Sequence, residues 1–211
     1  MDGNLMSAEI PALTEIRRVG VIGAGQMGNG IAHVCSLSGY DVVLTDVKPE
    51  ALAKALDIIK RNMERQVKRS VLSERERDAA LGRIKTSVEL AAVKDCDIVI
   101  EAATENEQVK RDILKALAPQ LRKNAIIATN TSSISITRLA ASTDRPEKFI
   151  GMHFMNPVPM MELIELIRGL ATDEATFQIV KTMSQRLGKT VAMAEDFPAF
   201  IVNRILLPMI N

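Results

Sequence analysis

Three glycines at G-x-G-x-x-G spacing, Gly23, Gly25 and Gly28, constrain this chain more than any other feature, because they sit where its hydrophobic period changes. Before them, Arg17 to Ile22 is a β-branched run. After them, Met27 to Leu37 places its apolar residues at helical spacing and stops at Gly39. Asp41 to Thr45 is a second β-branched run, closed by Asp46. Strand, tight turn, helix and strand make a βαβ unit, and such units build parallel sheets. The alternation continues. Helices are expected from Pro49 to about Arg69, from Ser73 with Glu76 completing a capping box, and over Glu107 to Leu121, Ile136 to Ala141 and Asp173 to Leu187. Strands are expected at Ile84 to Ser87, Ile98 to Ala102, Ala125 to Thr129, Phe149 to Met152, Glu162 to Leu166 and Thr190 to Ala194.

The pattern predicts an α/β fold of Rossmann type, a doubly wound, mostly parallel sheet with helices on both faces. Each glycine then has a mechanical role. Gly23 permits the tight turn, Gly25 lets the backbone approach a pyrophosphate, and Gly28 lets the helix pack close to the strand. Gln26 and Met27 complete the turn, and the helix N-terminus offers unpaired N–H groups to the anion. Asp46 is placed to accept from the ribose hydroxyls and to repel a 2′-phosphate, which favours NAD over NADP.

The boundaries read as a tail over 1–16, a nucleotide-binding domain over 17–197, and a segment 198–211 of different character. Beyond Asp196-Phe197-Pro198, Phe200 to Met209 is an apolar stretch of helical character. It is either the first helix of a truncated C-terminal all-α domain or a helix docked on the sheet. The 27 basic and 26 acidic residues nearly cancel, which argues against a nucleic-acid partner held by bulk charge. Cys35 and Cys96 lack metal-ligand spacing and read as reduced packing residues, and no metal site is expected. The N-terminal residues have neither a secretory nor a transit pattern, and no apolar run reaches the roughly 18 residues of a membrane span. A cytoplasmic protein without a membrane partner is expected.

Two polar groupings fall at predicted strand ends, where open α/β sheets place their ligands. One is Asn130-Thr131-Ser132-Ser133. The other is Gly151-Met152-His153-Phe154-Met155-Asn156-Pro157-Val158-Pro159, with Glu165 downstream. His153 is one of two histidines in the chain. An imidazole titrates near neutrality, and a carboxylate partner fixes its tautomer and strengthens it as a base. Alcohol oxidation by hydride transfer needs such a base together with donors at the oxygen, which His153, Glu165 and Ser132 can supply. The plainer alternative is a structural histidine beside a rigid Pro-x-Pro turn.

Five motifs in order, Gly-x-Gly-x-Met-Gly, Thr104-Glu105-Asn106, Asn130-Thr131-Ser132-Ser133, His153-Phe154-Met155-Asn156-Pro157-Val158-Pro159 and Pro198-x-Phe200-Ile201-Val202-Asn203-Arg204, resemble the 3-hydroxyacyl-CoA dehydrogenase family. The resemblance runs from Arg17 to Asn211. It implies NAD-dependent, reversible oxidation of (3S)-3-hydroxyacyl-CoA, with His153 as general base, Glu165 as its orienting partner, Ser132 as a donor at the substrate oxygen, and Asn203 completing the site. It also implies that Glu105, Lys110 and Asn156 lie near the cofactor's nicotinamide half and that Asn130 and Ser132 belong to the cofactor site; Glu105 alternatively reads as a helix-start acid. A homodimer and a helical second domain closing over the acyl group follow from the same resemblance, so this chain alone is expected to oxidise acyl-CoA poorly. Coenzyme A carries phosphates, and Arg61, Arg65, Lys68 and Arg69 recur on one side of the long helix, where they could guide those phosphates or simply be a solvated basic face. Two other readings stay open: a dehydrogenase of a free 3-hydroxy acid, and a non-catalytic NAD-binding relative.

Overall fold

A computed structural model describes residues 15–210. The expected tail lies mostly outside these residues, but Ile16 is buried and joins the core. The chain opens with strand β1 (Arg18–Ile22), helix α1 (Gln26–Leu37) and strand β2 (Asp41–Thr45), the βαβ unit read from the glycine turn. Helix α2 (Pro49–Lys68) begins with proline, whose missing N–H has no partner to lose in a first turn. Helix α3 (Glu74–Gly82) starts on the Ser73–Glu76 capping box and leads to strand β3 (Ile84–Ser87).

Strand β4 (Ile98–Glu101), helix α4 (Glu107–Leu117), strand β5 (Ile126–Thr129) and helix α5 (Ile136–Ala140) come next. The helix expected to run to Leu121 stops being α-helical at Leu117, and a short 3₁₀ turn containing Pro119 follows, as expected for a ring that cannot donate and crowds the preceding turn. The remainder is strand β6 (Phe149–Phe154), strand β7 (Leu163–Arg168), helix α6 (Glu174–Arg186), strand β8 (Thr190–Glu195) and helix α7 (Val202–Ile210).

The eight strands form one sheet in the order β3-β2-β1-β4-β5-β6-β7-β8. All pairs are parallel except β6–β7, which is antiparallel. The chain builds outward from β1 to β3, then returns to place β4 on the other side of β1, so the switch point lies between β1 and β4. Period-two alternation divides the core. Ile98, Ile100, Ile126 and Ala128 face a cluster shared with α1, α2 and α6, whereas Val99 and Ile127 face a second cluster with α4 and α5. Each fully buried Val or Ile among these contributes about 1.5–3 kcal/mol by leaving water. Among the described residues no helix is long and apolar enough to cross a membrane, and no group of three or more His, Cys, Asp or Glu could hold a metal. Cys35 and Cys96 are free and buried, and burial raises both thiols to about 12.

Candidate cofactor cleft and active site

The glycine turn crosses the switch point. Gly23 has φ +98°, and its N–H donates to Thr45 O at 2.7 Å. A Cβ there would lie 2.6 Å from Ala103 Cα, and one on Gly28 would lie 1.7 Å from Gly23 O. At Gly25 a Cβ would meet nothing within 4 Å. Gly25 also caps α1 without any side-chain hydrogen bond. An open backbone approach to an uncapped helix N-terminus suits a pyrophosphate, so these residues fit a dinucleotide. Asp46 accepts from the Ala24 N–H at 2.8 Å and the Lys48 N–H at 3.0 Å, fastening the end of β2 to the turn. Each of its oxygens keeps a lone pair for a ribose hydroxyl.

Two cavities flank the turn. One, of about 260 Å³, brings Gln26 and Met27 together with Glu105, Lys110 and Asn130. The other, of about 490 Å³, lies between α1, α2 and the segment 156–159, and is lined by Gln26, Lys54, Asn62 and Asn156. Asn130 accepts the Phe154 N–H at 2.9 Å, joining the ends of β5 and β6. Val158 packs on α1 where a Cβ on Gly30 would approach it to 2.8 Å.

Glu105 is not a helix-start acid: Asn106 caps α4, accepting from Val109 N, and Glu107 is the acid of the first turn. Glu105 Oε1 instead accepts from Thr131 Oγ1 at 2.6 Å, from Ser132 N at 2.8 Å and from Ser132 Oγ at 3.0 Å. Burial pushes its carboxyl upward, but these bonds and the nearby Lys110 charge outweigh it and hold the group below the usual carboxylate range. Lys110 is fully buried and donates to Glu101 at 2.6 Å.

His153 lies inside β6 rather than beyond its end, because the strand runs on to Phe154. In the antiparallel register His153 stands directly opposite Glu165 on β7. Side chains at facing positions share a face and meet, and here Nδ1 is 2.7 Å from Glu165 Oε2, with the Glu165 side chain fully buried. Glu165 Oε1 accepts the Ile201 and Val202 N–H groups, both at 2.9 Å. Burial raises the Glu165 carboxyl; the bonds from His153, Val202 and Ile201 more than reverse this and leave it below the ordinary range.

The start of α7 is therefore held at the base. Ala199 and Phe200 turn through positive φ, and Phe200 packs against His153 with ring centroids 6.1 Å apart. Asn203 donates to Ser132 O at 3.0 Å. Asp196 accepts from Ser135 Oγ, Ile136 N and Thr137 N, tying the exit of β8 to α5. Thus His153, Glu165, Asn203 and Ser132 form one connected group, to which Glu105 is joined through Ser132. Asn156 and the glycine turn line the neighbouring cavity.

Arg61, Arg65 and Lys68 on α2, and Arg69 just past its end, are all exposed, and none lines a cavity at the turn. Arg61 pairs with Asp57 at 2.8 Å. The cavity takes Lys54 and Asn62 from that helix, two residues that no sequence motif marks; Arg65 and Arg69 continue their row at i+3 and i+7 from Asn62. Glu101 escapes sequence reasoning as well, since a lone acid ending an apolar strand carries no motif.

A family model for the NAD-binding domain of 3-hydroxyacyl-CoA dehydrogenase matches residues 18–197. A 3-hydroxybutyryl-CoA dehydrogenase of Bradyrhizobium diazoefficiens is 61% identical over 196 residues, covering 93% of this chain and 67% of that protein. The fatty acid oxidation complex subunit alpha of Acinetobacter baumannii is 41% identical over 193 residues, 92% of this chain and 27% of that one. Among solved structures, (S)-3-hydroxybutyryl-CoA dehydrogenase from Ralstonia eutropha superimposes with a TM-score of 0.91 at 50% identity, over 93% of this chain and 70% of that one.

Proposed function

Because the chain belongs to the 3-hydroxyacyl-CoA dehydrogenase family, we propose that it catalyses the reversible, NAD-dependent oxidation of (3S)-3-hydroxyacyl-CoA to 3-oxoacyl-CoA, on a short-chain substrate such as 3-hydroxybutyryl-CoA. The observation that carries this reading is the His153 Nδ1–Glu165 Oε2 contact at 2.7 Å. A carboxylate only accepts, so the ring's hydrogen stays on Nδ1 and Nε2 keeps its lone pair. Nε2 has no protein partner among the described residues.

His153 Nε2 takes the proton of the substrate's 3-hydroxyl as carbon 3 loses a hydride, and the imidazolium that forms is stabilised by Glu165. Bound NAD supplies the hydride acceptor. Ser132 exchanges its bond to Glu105 for one to the substrate oxygen, which gains negative character in the reducing direction. Asn203 keeps the Ser132 backbone in place through their 3.0 Å bond. Lys54 and Asn62, with Arg65 and Arg69 beyond them, offer donors and charge to the CoA phosphates, whereas Arg61 is occupied by Asp57.

On this reading residues 17–197 are the nucleotide-binding domain and α7 begins a helical region. The exposed Ile205, Leu206 and Met209 on α7 suit a helical partner surface, in keeping with a cytoplasmic homodimer. His153→Gln should lower kcat by about 10²- to 10⁴-fold, the usual worth of a positioned base, while leaving NADH affinity unchanged. NADH formation from 3-hydroxybutyryl-CoA, with free 3-hydroxybutyrate alongside, is the assay. A variant retaining kcat within about threefold of the unsubstituted protein refutes the base assignment.

A further inference from the structure

We propose that Glu101 is a positioning residue that neutralises Lys110 beside the nicotinamide half of the cofactor, so that the site does not discriminate against the oxidised, positively charged form. The inference rests on the cofactor reading above and goes beyond it, since neither motif nor family membership gives Glu101 a role.

Glu101 ends β4 at the switch point and is completely buried, as is Lys110 one helical turn into α4. Glu101 Oε2 accepts from Lys110 Nζ at 2.6 Å and from Thr129 Oγ1 at 2.7 Å, and Oε1 accepts the Ala103 N–H at 2.8 Å. Three of its roughly four acceptor positions are engaged by the protein, both of those on Oε2 among them, so the carboxylate aims the ammonium rather than a ligand. An ammonium has three hydrogens and Lys110 uses one here. The other two remain for the cavity it lines with Gln26, Met27 and Asn130.

Charge decides what such a donor does. The two cofactor forms differ by one positive charge on the nicotinamide ring. A lone lysine nearby would weaken binding of the oxidised form alone, whereas a lysine cancelled by a carboxylate still donates hydrogen bonds without that bias. Glu105, the other charged residue lining this cavity beside Lys110, is common to every variant compared below. One unit charge acting across ~10 Å at an effective dielectric near ~20 is worth about tenfold in relative affinity.

The test is the ratio Kd(NAD⁺)/Kd(NADH), from NADH fluorescence and its displacement by NAD⁺, in E101Q, K110M and the double variant. The ratio should rise about tenfold in E101Q, fall in K110M, and return near the starting value when both charges are gone. Thr129→Val removes a hydrogen bond to the same carboxylate without changing charge; it should lower the melting temperature and leave the ratio alone. An unchanged ratio in all three charge variants, or equal weakening of both cofactor forms, overturns the proposal. If the unsubstituted protein bound neither form, the cofactor assignment itself would fall.

Discussion

Replacing Glu165 by glutamine separates the two roles of one side chain. The carboxylate holds His153 with Oε2 and the start of α7 with Oε1. Glutamine keeps an oxygen that still accepts from Ile201 and Val202, but it turns an NH₂ toward His153 Nδ1. Two donors cannot face each other, so the ring must move its hydrogen to Nε2, where the substrate proton should go. Flipping the amide only transfers the clash to the two backbone N–H groups. Folding loses the difference between charged and neutral bonds, about 1–2 kcal/mol, or roughly 3–6 °C for a chain of this size. Activity should fall about 10²- to 10⁴-fold. Glu165→Leu strands both N–H groups as well and should cost about 3–5 kcal/mol. The lowered Glu165 carboxyl also contributes stability that is present above its unfolded value near ~4.3 and is lost as pH falls through the folded one. E165Q should lack that acid dependence. With only two histidines in the chain, ¹⁵N spectra assign the His153 tautomer directly. Wild-type kcat in E165Q, or an unchanged Nδ1–H tautomer, would refute the orienting role.

Two further outcomes follow from the same structure. His33 is buried on α1, its Nε2 3.2 Å from Gln66 Oε1 and its Nδ1 without a partner among the described residues; burial lowers its pKa from the ordinary 6.5, the Gln66 bond opposing this in part. The unfolded chain therefore takes up this proton first, and stability to urea should decline as pH drops below about 6.5; H33Q should flatten that decline, and an unchanged slope would count against it. Asp46→Ala removes the acceptor of the Ala24 N–H and the charge that repels a 2′-phosphate. NADH affinity should fall about tenfold and the preference over NADPH should shrink, and titrations in which that preference persists would sink the assignment.

The fold was legible because its signals are local. The glycine turn, the Ser73–Glu76 box and the β-branched runs each fix a few residues through backbone conformation or burial, and the structure keeps nearly all of them within a residue or two. The site was legible only as a set of residue types. Nothing in the spacing of His153 and Glu165 says that they touch; twelve residues apart, they meet because β6 and β7 are the one antiparallel pair of an otherwise parallel sheet. A parallel crossover there would have put β7 in a different register and left the imidazole without its acid. Equally illegible were Glu101 and the bonds from Glu105 to the Ser132 turn, since both depend on which strand ends are neighbours after the chain returns across β1. Apart from β6 and β7, neighbouring strands in this sheet lie far apart in sequence, so polar residues at their carboxyl ends carry no shared period and become a site only through strand order. The reversal at β6–β7 is thus the step that turns a nucleotide-binding sheet into one with a base at its edge. It also makes the base depend on Ile201 and Val202, because the acid facing His153 is the same acid that receives the first turn of α7.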